Sequence, residues 1–236
     1  METNNFNYVQ SQEESATMSK TFISNVFSWM FLALVITGIT SYVFATNLQL
    51  LSLIIGETGL TPFGYIALFS PLAFILVINF GMEHLSFPVI VLLFALYSLM
   101  MGMSLSFIFL IYAHGLIFQT FFITAGTFGA MAVLGYTTKT DLTKFGMLLI
   151  MALVGVIIAS IVMVFTGGST FLIDCICVFI FTGLTAFKVQ MLKNLGATAS
   201  LQTEQGKKLA VWGAMSLYIT FINLFMTLLR LFGGRR

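Results

Sequence analysis

Residues 209–229 read LAVWGAMSLYITFINLFMTLL, a run of 21 residues without a formal charge. Because the hydrocarbon core of a bilayer is about 30 Å thick and takes roughly 20 apolar helical residues to cross, this run predicts a transmembrane helix. Its small and polar residues recur at spacings of three and four, so they share one narrow face, the polar stripe. They are Gly213, Ser216, Thr220, Asn223 and Thr227.

The polar stripe has two interpretations, because lipid disfavours polar side chains and they must face protein or a water-filled path. In the first, these side chains hydrogen-bond to neighbouring helices, at roughly 0.6 kcal/mol per contact. In the second, the helix is central and lines a route for permeation. Both interpretations predict that this helix is buried in a bundle. They also predict that Asn223→Leu leaves buried partners of Asn223 unpaired and disturbs the bundle or the flux, whereas Phe221→Leu, off the stripe, is far milder.

The composition of the whole chain points to the same class of protein. Of 236 residues, 59% are hydrophobic and 8% are charged, whereas soluble domains carry about 25% charged residues. The natural partner of such a chain is the lipid bilayer. A net charge of only +2 excludes a broad basic face for nucleic acid. Six further apolar stretches are long enough to span: 21–45, 62–80, 88–113, 116–136, 145–166 and 170–187.

The predicted fold is therefore an all-α integral membrane protein with seven transmembrane helices, of which helix seven is central. Residues 1–20 are polar and are predicted to form a disordered cytoplasmic tail, and residues 21–236 are predicted to form one membrane domain. Small residues four apart, such as Ser98 with Gly102 and Gly155 with Ala159, indicate that helices approach each other closely.

The orientation follows from the ten lysine and arginine residues. The predicted loops on the side of the N-terminus hold Lys20, Lys139, Lys144, Lys188, Lys193, Lys207 and Lys208. The opposite side holds Arg230, Arg235 and Arg236, all at the C-terminus. Positively charged loops stay in the cytoplasm, so the N-terminus is predicted to be cytoplasmic and the C-terminus outside. A re-entrant last segment would put all ten cations in the cytoplasm. The length of the charge-free run favours a full span.

The sequence lacks the clusters of reactive residues that catalysis needs. His84 and His114 fall in short loops predicted to lie on opposite sides of the membrane, and no Cys or His spacing resembles a metal site. Neither a phosphate-binding loop nor a GxSxG motif is present. The chain is therefore predicted not to be an enzyme and to need no cofactor.

Two charges stand out in the sixth apolar segment, whose end reads FIFTGLTAFKVQMLKNL at residues 179–195. Asp174 and Lys188 are fourteen residues apart, or about 21 Å along a helix, so they cannot pair with each other. Asp174 is a functional candidate, since carboxylates are rare inside membranes; a solvated or locally paired carboxylate is the other interpretation. The simplest role for Lys188 is an anchor that snorkels to the interface.

Several segments together resemble the transmembrane Bax inhibitor motif family, in its bacterial YccA-like branch. They are VFSWM at 26–30, GMSLSFIFLIY at 102–112, FFITAGTFGAMAVLGYTTKTDLTKFG at 121–146 and SLYITFINLFMTLLRLFG at 216–233. The resemblance runs from about residue 20 to the end. It implies a seven-helix fold with a central last helix in a bacterial inner membrane. It also implies a calcium-leak activity that responds to pH.

The resemblance also implies a pair of proton-sensing aspartates, one near the end of helix six and one within helix seven. The first motif usually reads Tyr-Asp-x-Gln and here reads Phe-Lys-Val-Gln at 187–190. The second usually reads Leu-Tyr-Leu-Asp-Phe-Ile-Asn-Leu-Phe and here reads LYITFINLF at 217–225. Lys188 and Thr220 thus occupy the two aspartate positions, and an ammonium there should repel Ca²⁺.

Two functions remain open at this point. The first is an ion-leak channel or transporter, for Ca²⁺ or another ion, that lacks the di-aspartate pH sensor. Its pore or sensor candidates are Lys188, Thr220, Asn223, Ser216 and Asp174. The second is a non-conducting regulator that binds membrane proteins such as a membrane AAA protease, with the N-terminal tail as a docking segment.

Overall fold

This computed structural model describes residues 2–56, 59–81, 84–166 and 171–234 of the chain. The side chains of residues 2–12 and of several residues between 68 and 80 lie outside that description, as do Arg235 and Arg236, two of the predicted external cations. The elements in chain order are α1 (Glu2–Thr46), α2 (Leu48–Ile54), β1 (Ile55–Gly56), β2 (Gly59–Leu60), α3 (Pro62–Gly81), α4 (Phe87–Leu105), α5 (Ile108–Ile111), α6 (His114–Thr137), α7 (Thr143–Thr166), α8 (Phe171–Gly196) and α9 (Glu204–Gly233).

The predicted class of fold, an all-α membrane protein, is confirmed, but the predicted count of seven spans is close and not exact. Six helices among the described residues are long and apolar enough to cross a membrane: Glu13–Thr46, Phe87–Ile111, His114–Thr137, Thr143–Met163, Phe171–Gly196 and Glu204–Gly233. The remaining predicted span, 62–80, coincides with the 20-residue helix α3, some of whose side chains are outside the described set.

The N-terminal segment, predicted from the sequence as a polar tail, is helical from Glu2 onward. Helix α1 begins at Glu2 and continues without a break into the first apolar span. The part whose side chains are described, from Glu13 onward, is largely exposed, but Ser19 is buried and donates a hydrogen bond to the Lys193 carbonyl at 2.8 Å. A buried hydroxyl needs a hydrogen-bond partner, and Ser19 finds it on α8. The contact therefore attaches the polar end of α1 to α8.

A short helix, α2, and a two-stranded pairing follow α1. Asn47 caps α2 by accepting hydrogen bonds from the backbone N–H groups of Gln49 and Leu50, as an N-cap asparagine commonly does. Strands β1 and β2 then pair antiparallel, with Ile55 opposite Leu60.

The described chain forms two compact units, and α1 and α9 contribute residues to both. The first unit consists of Met1–Ile23, Gly115–Ala199 and Ser216–Arg236. Its core lies where α7, α8 and α9 meet, and its buried members are Leu149, Ile173, Cys177, Ile180, Phe181, Leu184, Leu224 and Leu228.

Glycines let the helices of the first unit approach closely. A methyl group added at Gly135 of α6 would overlap the backbone of Ala186 in α8, and one at Gly183 would meet the Leu149 side chain. Gly155, which the small-residue spacing singles out, has open space beside it instead. Small residues permit close approach, but only a facing helix makes use of it.

The second unit consists of Ser24–His114 and Ser200–Met215. Here the predicted close approach at Gly102 is found, because a methyl group there would meet the backbone of Thr37 and the side chain of Thr40. The Thr37 hydroxyl donates a hydrogen bond to the Ser98 carbonyl at 3.0 Å. Polar contacts of this kind tie α1 to α4.

Candidate functional site

The side chain of Lys188 crosses from α8 to α9. Its Nζ donates one hydrogen bond to Thr220 Oγ1 at 2.8 Å and another to the Ser216 carbonyl oxygen at 3.1 Å. The Thr220 hydroxyl itself donates to the same Ser216 carbonyl at 2.9 Å. The structure therefore brings together the two residues that the resemblance places at the aspartate positions, and it adds Ser216 to them.

No carboxylate accompanies the Lys188 ammonium in this contact, since both acceptors are neutral oxygens. Thr220 is buried and Lys188 is half-buried. A partly buried ammonium needs hydrogen-bond acceptors to replace the water it loses. One helical carbonyl and one hydroxyl satisfy two of its three N–H groups. The arrangement thus holds a positive charge between two transmembrane helices without neutralising it.

Asp174 lies in the first turn of α8. It is paired with a neighbouring side chain, which is one of the two interpretations that the sequence allows for this residue. Its Oδ1 accepts hydrogen bonds from Arg230 Nη2 at 2.9 Å and from Arg230 Nε at 3.0 Å. The Asp174 side chain is 6% exposed and that of Arg230 is 47% exposed. The carboxylate is therefore buried, while its cationic partner remains accessible.

These two polar contacts also define how the last two helices run. Lys188 meets residues 216 and 220, and Asp174 meets residue 230, so α8 and α9 are antiparallel, and polar contacts join them at both ends of the segments 174–188 and 216–230. Helix α9 is continuous over 30 residues, or about 45 Å at 1.5 Å per residue. An unbroken helix of this length is long enough for the full span that the sequence predicts.

Helix α9 is the most buried of the six candidate spans, because 67% of an apolar stretch of 18 residues within it is buried. This agrees with the central position predicted for it. The polar stripe, however, is not buried as a whole: Thr220 and Thr227 are buried, Ser216 is half-buried and Asn223 is exposed. The prediction that Asn223 has buried partners is wrong.

Local hydrogen bonding explains why the stripe divides in this way. The hydroxyls of Thr220 and Thr227 donate to carbonyls four residues earlier, at 2.9 and 2.7 Å, so they can be buried without a partner on another helix. The Asn223 amide cannot be satisfied so easily within its own helix. Phe221, outside the stripe, is the buried residue instead, and its ring lies 5.7 Å from that of Phe121 and 5.4 Å from that of Phe128.

The sequence analysis missed a clamp at the C-terminal end of α8. Gln190 accepts a hydrogen bond from the Leu142 N–H and donates one to the Thr140 carbonyl, both at 2.8 Å. Lys193 donates to the Tyr136 carbonyl at 2.7 Å and lies over the Tyr136 ring. The α6–α7 loop is therefore fixed to α8, two residues beyond Lys188. In the sequence, the glutamine of the Phe-Lys-Val-Gln motif was the signal that could have indicated this clamp.

The same loop contains a carboxylate with a structural role. The Asp141 side chain accepts hydrogen bonds from the Thr143 hydroxyl and the Thr143 N–H at the start of α7. These two bonds lower the pKa of Asp141, because they favour the charged form. In the described part of the chain, no three His, Cys, Asp or Glu side chains come together as a metal site would require.

The fold and the site define a class, a helical membrane protein whose last two helices are joined by polar contacts at both ends. The family model described as inhibitor of apoptosis-promoting Bax1 matches residues 19–236. The inner membrane protein YbhL of Escherichia coli is 38% identical over 220 residues, which cover 92% of this chain and 93% of the relative. An uncharacterized protein of Borreliella burgdorferi is 41% identical over 95% of this chain and 97% of its own length. The chain therefore belongs to the Bax inhibitor family of integral membrane proteins.

Proposed function

We propose that this chain is a bacterial inner-membrane protein that lets small ions leak across the membrane and excludes divalent cations with Lys188. The inner-membrane location is supported by the Escherichia coli relative, an inner membrane protein by name. The observation that carries the proposal is the contact of Lys188 Nζ with Thr220 Oγ1 at 2.8 Å. These residues hold the positions where the resemblance implies a titrating pair of carboxylates on a permeation path.

The electrostatic consequence of this substitution is large. Two unit charges 4 Å apart interact by about 4 kcal/mol at an effective dielectric constant of 20, and by about twice that when one ion is divalent. An aspartate at position 188 would attract Ca²⁺ by this amount, and the ammonium repels it instead. The path beside α8 and α9 is therefore closed to Ca²⁺ and lacks the coupled carboxylates that would make it respond to pH.

The test is Ca²⁺ flux into dye-loaded liposomes at several pH values between 6 and 8. The unmodified protein should show little Ca²⁺ leak and little dependence on pH. The double variant Lys188→Asp with Thr220→Asp should gain both, because two neighbouring carboxylates repel and one pKa rises. Each single variant should fall short. The matched control, Lys139→Asp with Thr140→Asp, makes the same change of charge on the exposed α6–α7 loop and should have no effect.

A pH-gated Ca²⁺ leak from the unmodified protein would contradict the proposal, since no carboxylate pair remains at the site. A folded double variant without any leak would mean that the path does not conduct. The function would then be the second candidate, a non-conducting regulator that binds a membrane AAA protease or other membrane proteins.

One observation favours that second candidate. The N-terminal segment is helical, and Glu13, Glu14 and Lys20 are exposed on it, so it offers an ordered polar surface for docking. Co-purification from membranes tests it: Glu13→Lys with Glu14→Lys should release a bound partner, whereas Glu204→Lys, on another helix, should not. Equal recovery of the partner with both variants would contradict docking through α1.

The proposed orientation has the N-terminus in the cytoplasm and the C-terminus outside. It is supported by the count of cations, with seven lysines on the predicted cytoplasmic side and three arginines at the C-terminus. Reporter fusions should place residues 139–144 and 193–208 in the cytoplasm and residue 236 outside. A cytoplasmic reporter at residue 236 would refute this orientation.

A further inference from the structure

Between positions 216 and 230, helix α9 is exposed along one line. Between positions 216 and 230 every residue is buried except Ser216, Ile219, Asn223, Met226 and Arg230, which are half-buried or exposed. Their spacings of three and four residues make a continuous open stripe, about 21 Å long at 1.5 Å per residue. We propose that this open stripe lines a path for monovalent anions, with Lys188 as the binding group. The inference rests on the proposed leak function and names its substrate.

The chemistry of the open stripe is that of a site for anions. Its polar groups are the exposed Arg230 guanidinium and Asn223 amide, together with the Lys188 ammonium beside Ser216, and all of them can donate hydrogen bonds. The carboxylate of Asp174 is 6% exposed and already accepts two bonds from Arg230 on one oxygen. The accessible charge along the stripe is therefore positive, as in pores that select anions with Arg and Lys side chains.

Lys188 has the capacity to hold an ion at the end of this stripe. An ammonium carries three N–H donors, and the described contacts of Lys188 use two of them, on Thr220 and on the Ser216 carbonyl. In the described part of the chain, the third N–H has no protein acceptor, so Lys188 can donate it to a small ion. A cation at this place would face the electrostatic repulsion already described, so the sign of the permeating ion is set here.

The exposure of Asn223 indicates that the open stripe faces a water-filled path and not lipid. An amide that faces hydrocarbon loses its hydrogen bonds to water, which costs several kcal/mol in a medium that cannot hydrogen-bond. Polar side chains in membranes accordingly face protein or water-filled cavities. Asn223 lies midway between Ser216 and Arg230, where a partly dehydrated anion would need a donor.

Chloride and potassium fluxes, measured separately in liposomes under a KCl gradient, test this inference. The unmodified protein should pass chloride in clear excess over potassium. Lys188→Met should lower the chloride flux by at least about tenfold, because it removes the charge that binds the anion, while Lys188→Arg should retain most of it. Lys144→Met, which removes an exposed lysine away from the stripe, is the matched control and should leave the flux unchanged.

The outcomes separate this inference from the function on which it rests. Potassium flux in excess over chloride would overturn the anion path and leave the leak function standing. A chloride flux that Lys188→Met leaves intact would also overturn it. If neither ion crosses with folded protein, both the inference and the leak function fail.

A second measurement does not depend on flux. In a chain whose two cysteines are replaced, Asn223→Cys should react with water-soluble thiol reagents, and faster with an anionic reagent than with a cationic one. Chloride should slow the anionic reagent. Absence of any reaction would place residue 223 against lipid or a second copy of the chain and would overturn the inference.

Discussion

The two ends of the α8–α9 pair differ in whether a charged side chain meets an opposite charge. At one end, the buried Asp174 carboxylate is paired with Arg230 through two hydrogen bonds. At the other end, the Lys188 ammonium meets only the neutral oxygens of Thr220 and Ser216. Between them the helices pack through apolar side chains, among them Phe181, Leu224 and Leu228.

This difference separates a structural role from a functional one. Pairing a charge with its opposite lowers the cost of burying that charge. Packing alone is then enough to explain why the pair is present. A partly buried charge without a counter-ion is costly, and packing does not account for it. Lys188 is therefore the residue whose presence stability does not explain, and Asp174 is the one whose presence a partner explains.

The largest effect on stability should come from a change on α6 that pushes α8 away. Gly135→Ala would overlap the Ala186 backbone, and overpacking against a backbone that cannot move should lower the free energy of unfolding by about 3 kcal/mol. Because Ala186 is two residues from Lys188, this variant should disturb the lysine end before the aspartate end. Thermal unfolding in detergent measures the change.

Gly129→Ala on the same helix is its control, since no atom lies within 4 Å of the added methyl group. Alanine is the better helix former, so this variant should be neutral or more stable by up to about 1 kcal/mol. If the two variants were equally stable, α6 and α8 would not be in close contact at Gly135.

The next effect concerns the paired end. Arg230→Ala should lower the free energy of unfolding by about 1 to 3 kcal/mol, because it leaves the buried Asp174 carboxylate without a donor. The double variant Asp174→Asn with Arg230→Gln should recover part of that loss, as measured by the same unfolding assay. An Arg230→Ala protein as stable as the parent would show that Asp174 has another partner, and the contrast between the two ends would disappear.

A smaller effect should distinguish buried from exposed positions on α9. Phe221→Leu removes a ring that packs on Phe121 and Phe128, at a cost of about 1 kcal/mol for the lost aromatic contacts. Asn223→Leu, at an exposed position, should change stability by less than about 0.5 kcal/mol. The order of the two is the reverse of what the polar stripe predicts from the sequence. A larger loss for Asn223→Leu would restore the sequence-based prediction.

The smallest change in stability should come from the residue with the largest effect on flux. Lys188→Met leaves the Thr220 hydroxyl bonded to the Ser216 carbonyl, so no group loses its only partner, and the free energy of unfolding should change by less than about 0.5 kcal/mol. Unfolding and chloride flux measured on one preparation would test this. A stability loss of the size expected for Arg230→Ala would make Lys188 a structural residue and remove the contrast between the two ends.

The sequence by itself determined the class of protein and the identity of the central helix. Apolar content and the length of charge-free runs act through the bilayer, which imposes helices on any chain that must satisfy its backbone in lipid. The substitution of Lys188 and Thr220 for two aspartates was also visible, because motifs keep their spacing along the chain. The six described spans and the buried α9 agree with these predictions.

Only the tertiary structure decided which residues each charge meets and which side of α9 is open. Arg230 is 56 residues from Asp174 along the chain, and no local pattern relates the two. The periodicity of the polar stripe fixed a face of the helix but not what covers that face, so Asn223 and Thr220 looked equivalent. Burial is decided by the neighbouring helices, which pack on Thr220 and leave Asn223 exposed.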